Sequence, residues 1–191
     1  MRKIIAALQV SLDGFIEGPD VQLDWVDSWG DCFDLAPRID ACLLGARMYP
    51  AYEGYWSAIQ ANPLAVLENT GRLPAPGEIE YANFAARTPH YVLSSSLETV
   101  GWAHSTILNK LDQVRELKQA PGKAIHAVGG ASLVASLLNA GLLDEIQLVV
   151  HPVLLGAGKP LFEHLPKRLW LRANGVTQLP AGRIKLAYLC S

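Results

Sequence analysis

Cysteine is scarce in this sequence, and its scarcity argues against a disulfide-rich secreted domain. Only Cys32, Cys42 and Cys190 occur among 191 residues, an odd number of thiols placed far apart in the chain. The N-terminal segment also lacks the apolar stretch and small-residue cleavage site of a signal peptide. We therefore expect reduced thiols in a cytoplasmic protein.

Long apolar runs and clustered positive charge are missing as well. No run approaches the ~20 apolar residues that a membrane-spanning helix needs. The formal net charge is −2 and the basic residues are dispersed, whereas nucleic-acid-binding proteins present clustered lysine and arginine. We expect no membrane and no nucleic acid among the partners. Half of the residues are hydrophobic, which predicts one domain, residues 1–191, with a sizeable core.

The most informative stretch combines two adjacent glycines with three regular segments. Lys123–Val128 is a short apolar run rich in β-forming residues, and Gly129 and Gly130 interrupt it. Ala131–Asn139 then has apolar residues at helical spacing, and Ile146–Val153 is a continuous apolar run typical of a buried strand. The glycines therefore lie at a strand-to-helix turn, where free backbone N–H groups and a helix N-terminus attract phosphate. A plain tight turn is the alternative interpretation.

Strands and helices alternate along most of the remaining chain, and hairpin-like strands follow at the end. This order predicts a three-layer α/β/α fold around a mostly parallel sheet with an antiparallel C-terminal edge. Asn174-Gly175 and Pro180-Ala181-Gly182 are turn signals around the two late strands. The predicted elements are strands at Lys3–Val10, Ala41–Gly45, Tyr91–Leu93, Leu169–Ala173 and Arg183–Cys190, and a helix at Leu111–Gln119.

Two segments carry less regular patterns. Within Trp25–Ala36, the spacing of Asp27, Asp31 and Asp34 places these carboxylates along one helical face. Ala61–Glu80 is rich in proline and glycine, which predicts a long surface loop.

Several short motifs follow one another in a recognisable order. They are Ser11-Leu12-Asp13-Gly14, Leu43-Leu44-Gly45-Ala46-Arg47, Tyr91-Val92-Leu93-Ser94-Ser95, Val128-Gly129-Gly130-Ala131, Gly141-Leu142-Leu143-Asp144-Glu145 and Pro152-Val153-Leu154-Leu155-Gly156-Ala157-Gly158. No single motif is specific, but the ordered set covers nearly the whole chain. In this order the motifs resemble the dihydrofolate reductase-like superfamily, and above all the C-terminal reductase domain of RibD in riboflavin biosynthesis and its stand-alone relatives.

The resemblance implies that NADPH binds across the ends of the central strands. In the family a glycine pair, usually joined by a cis peptide, holds the pyrophosphate. A guanidinium such as that of Arg47 recognises phosphate bidentately, and serine hydroxyls donate to the same group, so NADPH is expected to be preferred over NADH. The implied cofactor-binding residues are Ala7, Gly14, Gly45, Arg47, Ser94, Ser95, Gly129, Gly130, Ala131 and Ser132. For the serines the alternative is a simple strand-end turn.

Folate reductases also carry one buried acid in the helix after the first loop, which binds the pterin ring and helps deliver a proton. By position, Asp31 is the candidate catalytic residue here and Asp27 the reserve, while a solvated helix face is the alternative for each. The five histidines lack HxH or HExxH spacing, so we expect no metal. His126 lies in a core strand pattern, which predicts a structural residue.

The implied activity is hydride transfer from NADPH to a small heterocyclic substrate. Dihydrofolate-like pterins and pyrimidines like 5-amino-6-(5-phosphoribosylamino)uracil, an intermediate of riboflavin biosynthesis, are the candidates. The alternative is a non-catalytic nucleotide- or ligand-binding protein with the same fold. Met48 favours that alternative, because it stands where the commoner family pattern has a threonine. We also expect a homodimer, because Ile184–Cys190 predicts an apolar, edge-like strand.

Overall fold

The computed structural model describes residues 1–68, 70–163 and 165–190. The strands are β1 Ile4–Ser11, β2 Phe15–Glu17, β3 Ile39–Gly45, β4 His90–Leu93, β5 Ser105–Leu108, β6 Ala124–Gly129, β7 Glu145–His151, β8 Lys159–Pro160, β9 Leu171–Gln178 and β10 Ile184–Cys190. The helices are α1 Tyr49–Ala61, α2 Pro76–Ala85, α3 Leu111–Gln119 and α4 Ala131–Asn139. Within those described ranges, no helix is both long and apolar enough to cross a membrane.

One eight-stranded sheet has the order β5-β4-β3-β6-β1-β7-β10-β9, and β2 pairs separately with β8. The strands from β5 to β7 pair in parallel, whereas β10 is antiparallel to both of its neighbours. Parallel neighbours require crossover connections. Helices supply most of them, whereas residues 94–104, which join β4 to β5, contain no helix. The helices cover both faces of the sheet, which confirms the predicted α/β fold.

The core consists of two apolar layers separated by the sheet. On one face α3 and α4 pack over alternate residues of β1, such as Ile4 and Ala6. On the other face α1 and α2 pack over Ile5 and Ala7. β1 is buried along its whole length, as expected for a central strand covered on both sides.

The prediction that Asp27, Asp31 and Asp34 lie along one helical face is wrong. Residues 22–38 form turns and irregular backbone with no helix. Asp31 accepts hydrogen bonds from downstream backbone N–H groups, and Asp34 has a φ of 58°. Aspartate side chains that bind nearby backbone groups compete with helix formation, so the periodic spacing has no structural counterpart here.

The predicted loop over Ala61–Glu80 ends earlier than expected, because α2 begins at Pro76. Proline suits the first position of a helix, since its missing N–H would have had no partner there. Glu78, two residues further on, accepts a hydrogen bond from the Ala75 N–H at 2.8 Å. This backward hydrogen bond is half of a capping box and fixes the start of the helix.

The C-terminal strands also differ from expectation. Asn174-Gly175 does not form a turn: Gly175 pairs with Ala187 and Ala173 with Tyr188, so Asn174 is the extra residue of a β-bulge. β10 is an inner strand, and the sheet edge is β9, whose eight residues are all exposed. The alternating apolar residues of β10 are therefore those of a half-buried inner strand, which lies next to the exposed edge strand β9.

Candidate active site

A cavity of about 630 Å³ opens at the carboxyl ends of β1, β3 and β6. Such crevices are the usual ligand sites of open α/β sheets, and this volume suits a cofactor or a small molecule. One end of the cavity is formed by the β6–α4 turn and the residues after β3. The other end is formed mainly by aromatic side chains from α1, α2 and the loop after β2.

The turn between β6 and α4 forms what we call the glycine end of the cavity. The peptide bond that joins Gly129 and Gly130 is cis, as the resemblance implies. Gly130 precedes the first turn of α4, whose leading N–H groups have no partner within the helix. A Cβ atom on Gly130 would meet only Ile16 Cδ1, at 3.9 Å, so the space in front of this residue is open.

Two polar side chains accompany the glycines. Arg47, just beyond the end of β3, and Ser132, in the first turn of α4, both line the cavity and are exposed. Gly45 lies against the turn, because a Cβ on it would be 3.8 Å from the Gly129 carbonyl oxygen. Backbone N–H groups, a hydroxyl and a guanidinium therefore line the same cavity, and this combination of donors is typical of phosphate-binding sites.

The opposite part of the lining, which we call the aromatic end, contains six aromatic residues: Trp29, Phe33, Tyr52, Tyr55, Trp56 and Tyr81. The Tyr52 and Tyr81 hydroxyls lie 3.1 Å apart. Burial raises the pKa of both phenols, which therefore stay neutral and can donate or accept hydrogen bonds. Flat walls with a few polar atoms suit a planar ring.

Asp31 reaches the cavity and Asp27 does not. The Asp31 carboxylate accepts hydrogen bonds from the backbone N–H groups of Leu35 at 2.9 Å and Ala36 at 2.6 Å, with a longer one from Phe33. Asp27 is exposed and lies outside the lining. The structure thus brings one of the two candidate acids to the aromatic end, and this acid also organises its own loop.

His126 was expected to be structural, yet it also lines the cavity. Burial lowers the pKa of His126 to about 4, so the imidazole is neutral near pH 7. Its Nε2 lies 3.4 Å from the Ala7 carbonyl oxygen, and its Nδ1 has no described hydrogen-bond partner. Ala7 and His126 bring the central strands β1 and β6 together beneath the cavity.

A buried carboxylate that sequence reasoning missed supports the aromatic end from behind. Glu78 accepts hydrogen bonds from both terminal nitrogens of Arg72, from the Trp29 N–H and from the Tyr55 hydroxyl. Burial alone raises the pKa of Glu78, but these hydrogen bonds outweigh it and lower the value to about 2. Since Trp29 and Tyr55 line the cavity, Glu78 fixes part of its wall. Its one sequence signal was a glutamate at the third position of a helix that begins with proline.

A second series of hydrogen bonds, from His151 through Gln9 to Ser28, holds the loop that carries Trp29. Gln9 lines the cavity, and its side-chain N–H donates to the Ser28 carbonyl at 2.9 Å. Its Oε1 lies 2.7 Å from His151 Nε2. Burial lowers the pKa of His151, so the neutral ring donates its Nε2–H to Gln9. This series links β1, β7 and the loop that carries Trp29.

Six of the ten implied cofactor-binding residues line the cavity: Ala7, Gly45, Arg47, Gly130, Ala131 and Ser132. Gly129 ends β6 behind the turn, and Gly14 lies in the turn after β1, where its φ is 89°. Ser95 is exposed outside the lining. The Ser94 hydroxyl accepts hydrogen bonds from the N–H groups of residues 96 and 97, so this serine forms the strand-end turn of the alternative interpretation.

Metal ligands do not cluster in the described ranges 1–68, 70–163 and 165–190, where no group of three or more histidine, cysteine, aspartate or glutamate side chains could hold an ion. His164, one of the five histidines, lies outside these ranges.

Comparison with known proteins shows a family that matches most of the chain. Residues 2–185 match the RibD C-terminal domain. The chain is 33% identical over 190 residues to the uncharacterized protein YyaP of Bacillus subtilis, covering 98% of this chain and 94% of YyaP. A Shewanella sp. PV-4 protein whose name links it to riboflavin biosynthesis has a TM-score of 0.72 at 18% identity, with 99% of each chain covered.

A more distant structural relative is dihydrofolate reductase from Enterococcus faecalis, in complex with NADP(H). It has a TM-score of 0.64 at 11% identity, and the alignment covers 99% of this chain and 96% of the reductase. At such identities the two structures support the fold, while the match over residues 2–185 and the similarity to YyaP define the family. The chain belongs to the RibD C-terminal domain family, whose fold is that of the dihydrofolate reductases.

Proposed function

We propose that this protein is an NADPH-dependent reductase that transfers hydride to a small heterocyclic substrate of the pterin or pyrimidine kind. The observation that carries the proposal is the lining of one cavity, which includes both the glycine turn between β6 and α4 and six aromatic side chains. A reductase of this type needs both, because the cofactor phosphates and the substrate ring must be held in one continuous space. Membership of a family of reductases supports the same conclusion.

The residues of the glycine end fit the cofactor. Gly130 leaves open space where a pyrophosphate can approach the α4 N-terminus, and Arg47 and Ser132 supply donors. NADPH, when bound, supplies the hydride. The residues of the cavity would orient the cofactor and substrate rings, exclude water and supply the charged groups. Asp31 is our candidate to position the substrate ring and to relay a proton to it, because it is the carboxylate of the aromatic end.

The proposal is tested by two measurements on the purified protein. Thermal unfolding with and without NADPH reports cofactor binding, and loss of NADPH absorbance with dihydrofolate, pterins or pyrimidines reports hydride transfer. A shift with NADPH together with turnover of at least one ring compound is the expected result. NADPH binding without turnover of any compound would favour the alternative, a ligand-binding protein that retains the reductase fold. Absence of any shift with NADPH would overturn the cofactor proposal.

Arg47→Ala is expected to weaken NADPH binding more than NADH binding, by about 1–3 kcal/mol, because charged hydrogen bonds to the additional phosphate are lost. Titration of each cofactor against variant and wild type measures the difference. Arg115→Ala is the matched control, since Arg115 is on α3 with a partner at Asp112 and lies outside the cavity. Equal losses for both cofactors would assign Arg47 to the pyrophosphate, and no loss would remove it from the site.

Asp31→Asn is expected to reduce turnover at least tenfold while NADPH still binds, because an amide cannot hold the proton that a carboxylate can. The comparison is with Asp27→Asn, an exposed position outside the lining, which should retain wild-type turnover. The amide introduced by Asp31→Asn has one acceptor oxygen in place of two, so the loop should lose some stability as well. Unchanged turnover in both variants would contradict a folate-like mechanism.

We further propose a homodimer that forms through the β9–β10 hairpin. β9 is an exposed sheet edge, and Trp170 and Val176 expose 80% and 70% of their surface. Unprotected edges with apolar side chains favour pairing with another chain. Light scattering at tens of micromolar should give twice the chain mass, and Val176→Lys should shift the protein toward monomer. A wild-type monomer at that concentration would contradict the proposal.

A further inference from the structure

We propose that the aromatic end takes an uncharged planar ring compound without a phosphate group. This inference rests on the proposed reductase function and narrows its substrate class. It separates neutral pteridines and pyrimidines from the phosphorylated pyrimidines that remain candidates on family grounds. The inference rests on where the charged side chains lie along the cavity wall.

The cations of the lining stand at the glycine end. Among the described residues only Arg47 and Lys159 line the cavity with a positive charge. Arg47 follows Gly45, which packs against the glycine turn. Lys159 is on β8, pairs with Glu17 at 2.7 Å, and belongs to the β2–β8 ribbon that carries Ile16 up to Gly130. Lys159 therefore already has a carboxylate partner, and Arg47 is the cation of the lining that we assign to the cofactor phosphates.

The aromatic end has the opposite electrostatic character. Its charged group is the Asp31 carboxylate, and no lysine or arginine of the described chain lines this end beside the six aromatic rings. A phosphate dianion placed here would face a like charge in a low-dielectric environment without a compensating cation. Such burial is strongly unfavourable.

A phosphate on a longer tail would also meet negative charge. A neighbouring cavity of about 550 Å³ shares Asp31 and Tyr81 with the first, so it is one direction in which a tail could extend from the aromatic end. Asp34, Glu80 and Arg87 also line it, and Asp34 pairs with Lys185 at 2.7 Å. With the Asp34 charge offset by Lys185, the carboxylates of Asp31 and Glu80 outnumber the Arg87 guanidinium, so the net charge of this passage is still negative, which disfavours an anionic substituent.

The polar atoms that do reach the aromatic end are neutral. The raised pKa values of Tyr52 and Tyr81 keep both hydroxyls protonated, and the lowered pKa of His126 leaves an uncharged imidazole near pH 7. Such groups donate to or accept from ring carbonyls, ring N–H groups and hydroxyls. Together with stacking surfaces they match a neutral pteridine or pyrimidine, including one with a hydroxylated side chain.

The test compares matched ligands on the NADP⁺-saturated protein. The pairs are 5-amino-6-ribosylaminouracil with its 5′-phosphate, and 6-hydroxymethylpterin with its phosphate, each titrated by calorimetry. At least one neutral member should bind about tenfold or more tightly than its phosphate, a difference of about 1.4 kcal/mol. Tighter or equal binding of both phosphates, or no binding of any neutral member below about 1 mM, the upper range of substrate constants, would overturn the inference. The NADPH thermal shift is measured separately, so the proposed reductase function can stand when this inference fails.

Asp31→Asn provides a second, independent readout. If the carboxylate repels the phosphate, the ratio of the two dissociation constants within each pair, phosphate over neutral, should be at least threefold smaller in the variant than in the wild type. If Asp31 only organises its loop, both members should weaken by the same factor and the preference should persist, which would contradict the electrostatic argument. Asp112→Asn on α3 is the control, because Asp112 is exposed and lies outside both cavities.

Discussion

Gly130→Ala is expected to abolish stabilisation by NADPH in a protein that still unfolds cooperatively. The residue has φ −88° and ψ −158°, which alanine can adopt. The new methyl group would meet only Ile16 Cδ1, at 3.9 Å, an ordinary contact. The fold should therefore tolerate the change. The methyl group would instead occupy the open space in front of the α4 N-terminus, where the pyrophosphate must approach bare backbone.

Thermal and denaturant unfolding of both proteins, with and without NADPH, measures this effect. At ~100 times the dissociation constant, NADPH should stabilise the wild type by about 2.7 kcal/mol and the variant by almost nothing. Gly54→Ala is a matched control, because Gly54 is an exposed residue of α1 with open space around it and lies outside the cavity. That control should keep the full NADPH effect. A Gly130→Ala protein that keeps it too would remove the cofactor from this turn.

Gly129→Ala is a poorer test of binding because it changes the fold itself. Gly129 has a φ of 128°, and an added Cβ would lie 3.1 Å from Leu8 Cδ2. Strain and crowding would reduce stability whether or not NADPH binds. The two glycines therefore have different roles, although they are adjacent in the sequence. Gly129 is needed for close packing, and we expect Gly130 to leave space for a ligand.

The strongly periodic segments were predictable to the residue. Leu111–Gln119 and Ala131–Asn139 are helices with the predicted bounds, because their apolar spacing and flanking glycine and proline residues agree. The prediction for the aspartate-rich loop failed for a physical reason. The spacing of the aspartates suggested a helix, but the Asp31 side chain accepts hydrogen bonds from backbone N–H groups that a helix would need. The position of β10 inside the sheet also depends on long-range pairing, which local periodicity does not encode.

The site divides in the same way. The resemblance implied Arg47, Gly130 and Ser132, and the structure places all three in the cavity lining, because each follows a strand end or opens a helix. His126 and Glu78 were not recognised as parts of the cavity and its support. Their environment comes from partners such as Ala7 and Arg72 on other elements, and nothing in the local sequence identifies those pairs.

Arg72→Ala is expected to lower the free energy of unfolding by about 3 kcal/mol near pH 7 and to loosen the aromatic end of the cavity. Arg72 donates to both oxygens of Glu78, at 2.8 and 2.9 Å, and Glu78 is fully buried. Removing one partner leaves a buried carboxylate without its counter-charge, which typically costs about 3–5 kcal/mol. The lower value applies because the Trp29 N–H, the Ala75 N–H and the Tyr55 hydroxyl still donate to it.

The pH dependence distinguishes this mechanism from a simple loss of packing. The pKa of Glu78 falls from its ordinary 4.5 to about 2 on folding, so its contribution to stability is present above pH 4.5 and is lost as the pH falls toward 2. In the variant, the largest of the contributions that lower the pKa of Glu78 is lost with Arg72, so protonation at acid pH relieves the unpaired charge more readily than in the wild type. Urea unfolding should therefore give the largest difference between wild type and Arg72→Ala above pH 4.5, and a narrowing difference below it. Arg115→Ala, which breaks the exposed pair with Asp112, should cost less than about 1 kcal/mol at every pH. A difference for Arg72→Ala that is equally small, or that stays constant down to pH 3, would mean that the Glu78 charge does not depend on Arg72.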